Sequence, residues 1–202
     1  MFNQLDESKK LRIINAALSE FADKGYNAAS TNEIARKAQI SKGSLFHYFG
    51  TKEKLYTWLI EYGIKLIETA LYANDQLRQE DFIEVLVQSA LIKMKVFQEY
   101  PDLKDFFLRI YQTDQTDEDR WAGQLTQVMS KFQSTALDRV DTRKFRNDMQ
   151  TAEVLRISYW IIDGMGKDYI QAGQGFGPDD MLKLTSDMMA TLKKLIYKEE
   201  YQ

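Results

Sequence analysis

The 202-residue sequence contains no cysteine, two prolines and a single histidine, His47. The absence of cysteine excludes disulfides, thiolate metal sites and a cysteine nucleophile, and one histidine excludes a multi-histidine metal site. Without a run of about 18 apolar residues, no segment is predicted to span a membrane. The charged N-terminal segment also differs from a signal peptide. These absences predict a cytoplasmic protein with no metal, no cofactor and no membrane partner.

The net charge of -3 is unevenly distributed. Residues 1–55 contain nine basic and six acidic residues, whereas the other 147 contain 18 basic and 24 acidic residues. A basic end on an acidic body indicates that one end meets a polyanion such as DNA. The excess is small, so statistical scatter is an alternative that only a matching fold would exclude.

The spacing of apolar residues predicts an all-α fold of about nine helices. Apolar residues recur at intervals of three and four, and strand-like alternation is almost absent. In the first predicted helix, residues 6–24, one apolar stripe is formed by Leu11, Ile14, Leu18 and Phe21. Gly25 follows at the position where a helix commonly ends in a left-handed residue.

Two short helices are predicted next, at residues 31–38 and 42–48. Ser30 and Glu33 have the spacing of a capping box, in which each side chain binds the other residue's backbone amide. Ser41 caps the second short helix. Two such helices joined by a tight turn form a helix-turn-helix, whose second helix fits the major groove, about 12 Å wide.

The second short helix has residues suited to contact with DNA. Its first turn is small or cationic, which permits close approach, and consists of Ser41, Lys42, Gly43 and Ser44. Leu45 and Phe49 are spaced to face the core, which directs His47 and Tyr48 toward phosphates. Lys52 and the amides near Thr51, at the start of a fourth helix, are predicted to form an anion site.

The segment TNEIARKAQISKGSLFHYFGTKEKL resembles the N-terminal domain of TetR-type (tetracycline-repressor-like) regulators. The resemblance covers residues 8–60, where more than a dozen positions agree without a gap. It implies a three-helix helix-turn-helix DNA-binding domain at residues 1–50. A larger helical domain for ligand binding and dimerisation would follow at residues 51–202.

The resemblance also implies which residues contact DNA. Contacts to bases or backbone fall on Thr31, Lys42, Gly43, Ser44, His47, Tyr48 and Lys52. Asn32 matches a position where some relatives read a base, and asparagine suits adenine. Phe46 departs from the family, which commonly has tyrosine there, so it either touches a thymine methyl group or packs against the protein.

The rest of the sequence is rich in aromatic residues and methionines. Most of these fit a helical core, but they also fit an adaptable apolar pocket for a small molecule. The candidates for ligand contact are Phe97, Phe107, Tyr111, Trp121, Leu125, Tyr159 and Asp163. Asp163 lies among apolar residues, so it either faces solvent or has a partner, in the protein or on a cationic ligand.

The last two predicted helices carry apolar stripes that suit a homodimer. The stripes are Ile157, Ile161, Gly164, Met165 and Asp168 on one helix and Leu184, Met188, Leu192 and Leu195 on the other. Two such helices from each copy would make a four-helix interface, and the resemblance implies the same. Packing of both stripes within one chain is the alternative.

Together these features predict a ligand-responsive, DNA-binding transcriptional regulator. We expect a repressor that leaves a pseudo-palindromic double-stranded operator when a small hydrophobic or amphipathic inducer binds. An enzyme is not expected, since motifs of metalloprotease, P-loop and serine-hydrolase type are absent. The alternative is a helical adaptor that binds a protein partner and reads no DNA.

Overall fold

The computed structural model describes residues 2–73, 81–112, 121, 123, 140–171 and 178–202. The described part contains eight α-helices, together with three single-turn 3₁₀ helices. They are α1 (Glu7–Ala28), α2 (Thr31–Lys37), α3 (Lys42–Phe49), α4 (Lys52–Tyr72), α5 (Phe82–Glu99), α6 (Pro101–Gln112), α7 (Thr151–Gln171) and α8 (Pro178–Ile196). The predicted all-α class is confirmed. The sequence also predicts a helix at residues 120–140, a polar loop before it and a turn at 173–178, and most of these residues lie outside the described ones.

The chain forms two compact units. The first contains residues 1–73 and 92–132, and the second contains residues 74–91 and 133–202. The helix-turn-helix segment and α4 belong to the first unit, while α7 and α8 belong to the second. The functional boundary predicted after residue 50 stays a proposal. Among the described helices, none combines the length and hydropathy needed to cross a bilayer.

α1 begins and bends where its sequence predicts. The Asp6 carboxylate caps its first turn by accepting from the Lys9 amide at 2.9 Å. Gly25 has φ 70° and ψ 174°, which interrupts the regular helix before one further turn ending at Ala28. A residue with a side chain would be strained at that φ, so glycine determines the bend. The predicted stripe needs one correction, because Leu11 is 43% exposed and Ile13 is fully buried.

The turn between α2 and α3 is a Schellman motif. The Gln39 amide donates to the Arg36 carbonyl at 3.1 Å, and the Ile40 amide donates to the Ala35 carbonyl at 3.0 Å. This pair of hydrogen bonds needs a left-handed residue, and Gln39 has φ 57°. The motif satisfies the last carbonyls of α2 and turns the chain sharply into α3.

The first unit has close helix packing around α6. α6 packs along α1, and α1 also contacts α2 and α4. Gly63 of α4 lies against α6 so tightly that an added Cβ would come within 2.6 Å of Phe107 Cζ and closer still to Leu103 Cδ1. Glycine at this position therefore permits the approach of α4 and α6.

The core of the second unit lies between the start of α5, the segment near residue 145, α7 and α8. It contains Phe82, Ile83, Leu86, Phe145, Val154, Met189, Leu192, Ile196 and Tyr197. Met188, Ile157 and Ile161 are partly buried and pack against it. The prediction that Leu192 faces a second copy is therefore wrong, because this side chain is fully buried within one chain.

Asp81 caps the first turn of α5 and has further partners. Asp81 Oδ1 accepts from the amides of Ile83 and Glu84, at 3.0 and 3.2 Å, and from the Tyr197 hydroxyl at 3.0 Å. Lys144 Nζ donates to Asp81 Oδ2 at 2.9 Å. Burial opposes ionisation of Asp81, but these donors lower its pKa below the usual value. One carboxylate thus connects the start of α5 to the C-terminal segment.

Candidate nucleic-acid interface

The helix α3 has one buried face and one exposed face. Leu45 and Phe49 are 1% and 8% exposed and fix the helix to the core. Ser41 is its N-cap and accepts from the Ser44 amide at 3.0 Å, as predicted. The predicted DNA-contacting residues of this segment are exposed or half-buried: Ser41, Lys42, Gly43, Ser44, Phe46, His47 and Tyr48. The helix can therefore present these residues outward while the opposite face stays packed.

Gly43 lies in the first turn of α3 without a packing reason for glycine. An added Cβ would meet only Ser41 Oγ, at 3.7 Å, which is ordinary van der Waals contact. Its φ is not positive, so backbone conformation does not require glycine either. Glycine in a helix is less favourable than alanine by about 1 kcal/mol. The fold gains nothing from this residue, which is consistent with close approach of a partner from outside.

The helix α2 is connected to α1 through Glu20, a residue that the sequence pattern does not single out. The Glu20 side chain is 1% exposed. Its Oε1 accepts from Lys24 Nζ at 2.7 Å and from the Ser30 amide at 3.1 Å, and its Oε2 accepts from Lys37 Nζ at 3.1 Å. Burial opposes ionisation, yet these three donors outweigh it and hold the pKa of Glu20 at about 2.

The predicted capping box of α2 is half correct. Ser30 Oγ accepts from the Glu33 amide at 3.4 Å, as expected. The Glu33 carboxylate does not return to the Ser30 amide, because it accepts from Arg36 Nε at 2.9 Å instead. Glu20 takes the place of Glu33 at that amide, so a residue of α1 completes the cap of α2.

The start of α2 places two predicted contact residues near the surface. Thr31 is half-buried and Asn32 is exposed. On α3, Lys42 Nζ lies 5.8 Å from the centre of the Phe46 ring, so Phe46 packs partly under a cation of its own helix. Among the described residues no carboxylate pairs with Lys42, which leaves its charge facing outward.

Lys52 makes contacts within the chain. Its Nζ donates to the Asn27 carbonyl at 3.1 Å and lies 4.9 Å from the centre of the Tyr26 ring. Lys52 therefore connects the first turn of α4 to the segment that joins α1 and α2. The predicted contact of Lys52 with the DNA backbone stays a prediction.

Tyr48 is held by residues at the start of the chain. Its ring centre lies 6.0 Å from that of Phe2 and 5.9 Å from that of His47, and Lys9 Nζ lies 5.9 Å from it. Phe2 is 8% exposed and precedes α1 in a short 3₁₀ turn. The sequence predicts a first helix that begins at Asp6, and no pattern in it indicates a role for Phe2.

The candidate ligand residues are described in part. Phe107 is buried, Phe97 is half-buried, and their ring centres lie 6.3 Å apart. Trp121 is 1% exposed and packs on Tyr26 and Tyr56, each at 4.6 Å. Leu125 lies outside the described residues, as do the side chains of Tyr111, Tyr159 and Asp163. Of the seven candidates, Phe97 and Phe107 are thus in ring contact with each other. That any of the seven binds a ligand stays a prediction.

A row of aromatic rings runs through the first unit. Successive ring centres lie 6.3, 5.9, 5.0, 4.6 and 4.6 Å apart. In order, the rings are Phe97, Phe107, Phe106, Tyr56, Trp121 and Tyr26. The row ends at Tyr26, whose ring lies beside Lys52 Nζ. It connects α5 and α6 to the residues that lead into α2.

Glu20 and Gln39 give little sign of their roles in the sequence. Glu20 lies three residues after Ala17 and four after Ala16, and both alanines are buried. An acidic residue on an apolar helix face is the only local indication that Glu20 is buried and paired. Gln39 had no signal, since glutamine is uncommon in the left-handed region. No group of three or more potential metal ligands occurs in the described part of the chain.

The chain is similar to a known protein family and to individual regulatory proteins. Residues 13–57 match the family described as bacterial regulatory proteins, tetR family. An uncharacterized HTH-type transcriptional regulator, YuxN of Bacillus subtilis, is 47% identical over 58 residues, which cover 29% of this chain and only 20% of that protein. IcaR of Staphylococcus aureus, a negative transcriptional regulator of the biofilm operon icaADBC, is 22% identical over 76% of this chain and 82% of its own length.

A solved structure extends the fold comparison to nearly the whole chain. The transcriptional regulator FadR from Bacillus subtilis, solved in complex with stearoyl-CoA, superposes with a TM-score of 0.65 at 15% identity. The match covers 90% of this chain and 96% of FadR. At this identity the similarity shows the fold, an N-terminal helix-turn-helix followed by a larger helical part.

Proposed function

Because the chain belongs to the TetR family of bacterial regulatory proteins, we propose that it is a dimeric repressor that binds operator DNA through α3 and leaves it when a ligand binds. The family makes it a DNA-binding transcriptional regulator. We propose repression and not activation because IcaR, which matches over most of this chain, is a negative regulator. We propose that it acts in the cytoplasm, where operator DNA is accessible.

The exposed face of α3 is the observation that supports DNA binding most directly. Lys42 points its charge outward, Gly43 leaves room that the fold does not use, and His47 is exposed. We propose that the first turn of α3 approaches base edges in the major groove. Phosphates are contacted by His47, Tyr48 and Thr31. Contacts to phosphates position a protein on the duplex, whereas contacts to base edges select the DNA sequence.

The exposed face of α7 supports a revised dimer interface. Trp160 is 62% exposed, and its ring lies 5.6 Å from Arg156 Cζ. Gly164 follows one turn later, and apart from the backbone of its own helix and its two chain neighbours, no described heavy atom lies within 4 Å of the position that its Cβ would take. On α8, Leu195 is 49% exposed while Leu192 is buried. We propose that Trp160, Gly164 and Leu195 contact a second copy.

The proposed ligand is a small hydrophobic or amphipathic molecule. FadR, which shares the fold, was solved with stearoyl-CoA, an amphipathic thioester. In this chain, Phe97 and Phe107 are aromatic side chains of a kind that binds such molecules. The aromatic row from Phe97 to Tyr26 supplies a continuous packed connection between them and Lys52. We propose that ligand binding shifts this row and thereby moves α2 and α3, a coupling of about 1–3 kcal/mol.

A DNA-binding comparison tests the proposal. The parent should shift duplex fragments from the promoter region beside its own gene, and the double variant Lys42→Ala/Tyr48→Ala should not. Lys65→Ala/Tyr72→Ala is the matched control, because it removes the same residue types from exposed positions of α4. Circular dichroism should show that both variants are folded.

Two results would contradict the proposal. If the parent shifts no duplex at physiological salt, the protein does not act as a DNA-binding repressor, and the adaptor alternative regains support. If the Lys42→Ala/Tyr48→Ala variant binds as tightly as the parent, DNA binding uses residues other than those of α3.

A further inference from the structure

Phe2 is buried at the point where α3 and α4 meet. It precedes α1 in the 3₁₀ turn Phe2–Gln4, in which the Leu5 amide donates to the Phe2 carbonyl at 3.1 Å. Its ring centre lies 4.8 Å from that of Phe49 and 5.0 Å from that of Trp58. Phe49 and Trp58 also contact each other directly, at 5.4 Å. The three rings form an aromatic cluster that joins the N-terminal turn, the end of α3 and the start of α4.

The same ring reaches the outward face of α3. Its centre lies 6.0 Å from that of Tyr48, the residue immediately before Phe49. Lys9 Nζ, from the first turn of α1, lies 5.9 Å from the centre of the Tyr48 ring. Phe2 thus contacts one side chain that anchors α3 in the core and one that is predicted to contact a phosphate.

The short length of α3 makes these contacts important for its orientation. A helix of eight residues has little intrinsic stability, so packing must hold it in place. Leu45 anchors its middle, and Phe49 anchors its last turn. Of the described rings around Phe49, that of Phe2 lies closest, so removing it would leave Phe49 with Trp58 as its aromatic neighbour in the described part of the chain.

We infer that Phe2 is a positioning residue for DNA binding, holding the last turn of α3 and the ring of Tyr48 in the orientation that meets the DNA backbone. This inference rests on the proposed function and adds the N-terminal turn to the DNA-binding unit. The Phe2 side chain is too buried to touch DNA itself, and it acts through Phe49 and Tyr48. Loss of Phe2 should therefore weaken affinity for DNA even where the fold remains intact.

A pair of phenylalanine variants separates positioning from general stability. Phe145 is a matched control, because it is 5% exposed, contacts two aromatic rings and belongs to the second compact unit. Phe2→Ala and Phe145→Ala should both lower the unfolding temperature. Affinity for duplex DNA, measured well below both unfolding temperatures, should fall about tenfold for Phe2→Ala and less than twofold for Phe145→Ala.

Two further readouts complete the test. Any purification tag belongs at the C-terminus, so that the N-terminal turn is unchanged. Phe2→Leu keeps an apolar side chain of similar size and should recover affinity to within about threefold of the parent. Hydrogen exchange should be faster in the last turn of α3 for Phe2→Ala, and unchanged there for Phe145→Ala.

The outcomes distinguish this inference from the proposed function. Equal affinities of Phe2→Ala and the parent, or an equal loss in Phe145→Ala, would overturn the positioning role. If the parent binds no duplex DNA, the proposed function fails. The rate of hydrogen exchange in the last turn of α3 is then the measurement that decides whether Phe2 holds that helix. If Phe2→Ala does not fold, the milder truncations Phe2→Val and Phe145→Val are compared instead, and positioning requires weaker DNA binding in Phe2→Val only.

Discussion

The ionised carboxylate of Glu20 stabilises the contact between α1 and α2. Its three donors come from Lys24, Lys37 and the Ser30 amide, and together they hold its pKa at about 2. The pKa in the unfolded chain is near 4.5, so the folded state binds the proton more weakly. This contribution to stability is therefore complete above pH 4.5 and is lost as the pH falls toward 2.

The variant Glu20→Gln tests that contribution. It keeps the shape and one acceptor but removes the charge, so we expect the free energy of unfolding at pH 7 to fall by about 2 kcal/mol. Urea unfolding at several pH values should show the difference from the parent shrinking between pH 4.5 and pH 2. A difference that is constant across this range would show that ionisation of Glu20 does not stabilise the fold.

Gly43 is expected to separate stability from function. Gly43→Ala should raise the free energy of unfolding by up to about 1 kcal/mol, since alanine favours the helix and its Cβ has space. The same methyl group should weaken operator binding, because it occupies the space through which α3 approaches DNA. Unfolding and gel-shift titration of one preparation check both halves. Unchanged or tighter DNA binding would show that DNA does not come close to this position.

At the scale of elements, the approach of α4 to α6 depends on Gly63. Gly63→Ala should lower the free energy of unfolding by about 1–3 kcal/mol, because the new methyl group would overlap Leu103 and Phe107, both buried in the core. Gly123→Ala is the control, since it is helical and no described heavy atom lies within 4 Å of its Cβ position. Equal stability of the Gly63→Ala variant and the parent would mean that the two helices can separate at little cost.

Local signals in the sequence were sufficient to predict the elements of the helix-turn-helix. Ser41 caps α3 as expected, Thr51 lies at the start of α4 and caps it, and Gly25 bends α1. These features depend on residues only a few positions apart, so one sequence contains the information. The all-α class followed in the same way from apolar spacing.

The contacts between elements could not be predicted in this way. Glu20 replaces Glu33 at the Ser30 amide, ten residues away in sequence, and Phe2 reaches Phe49 across the whole of α1. The apolar stripe on α8 was also predicted to face a second copy, yet its Leu192 is buried within one chain. Periodicity identifies an apolar face but not the neighbour that covers it.

At the scale of the whole molecule, the exposed tryptophan of α7 is the main support for a dimer. Trp160→Ala should weaken self-association about 30-fold, since buried tryptophans at interfaces contribute about 2 kcal/mol or more. Sedimentation velocity over a dilution series measures this constant. Tyr72→Ala is the control, because Tyr72 is 66% exposed but lies on α4. Equal association of Trp160→Ala and the parent would move the interface away from this face.

The measurement that tests the central claim most directly is a hydroxyl-radical footprint of the parent on a duplex that it selects from genomic fragments. A dimer with one α3 helix in each of two successive major grooves should protect two segments with centres about 10–10.5 base pairs apart. The two protected segments should be inverted copies of one another. Selection of no preferred sequence, or protection of a single unpaired segment, would contradict the account.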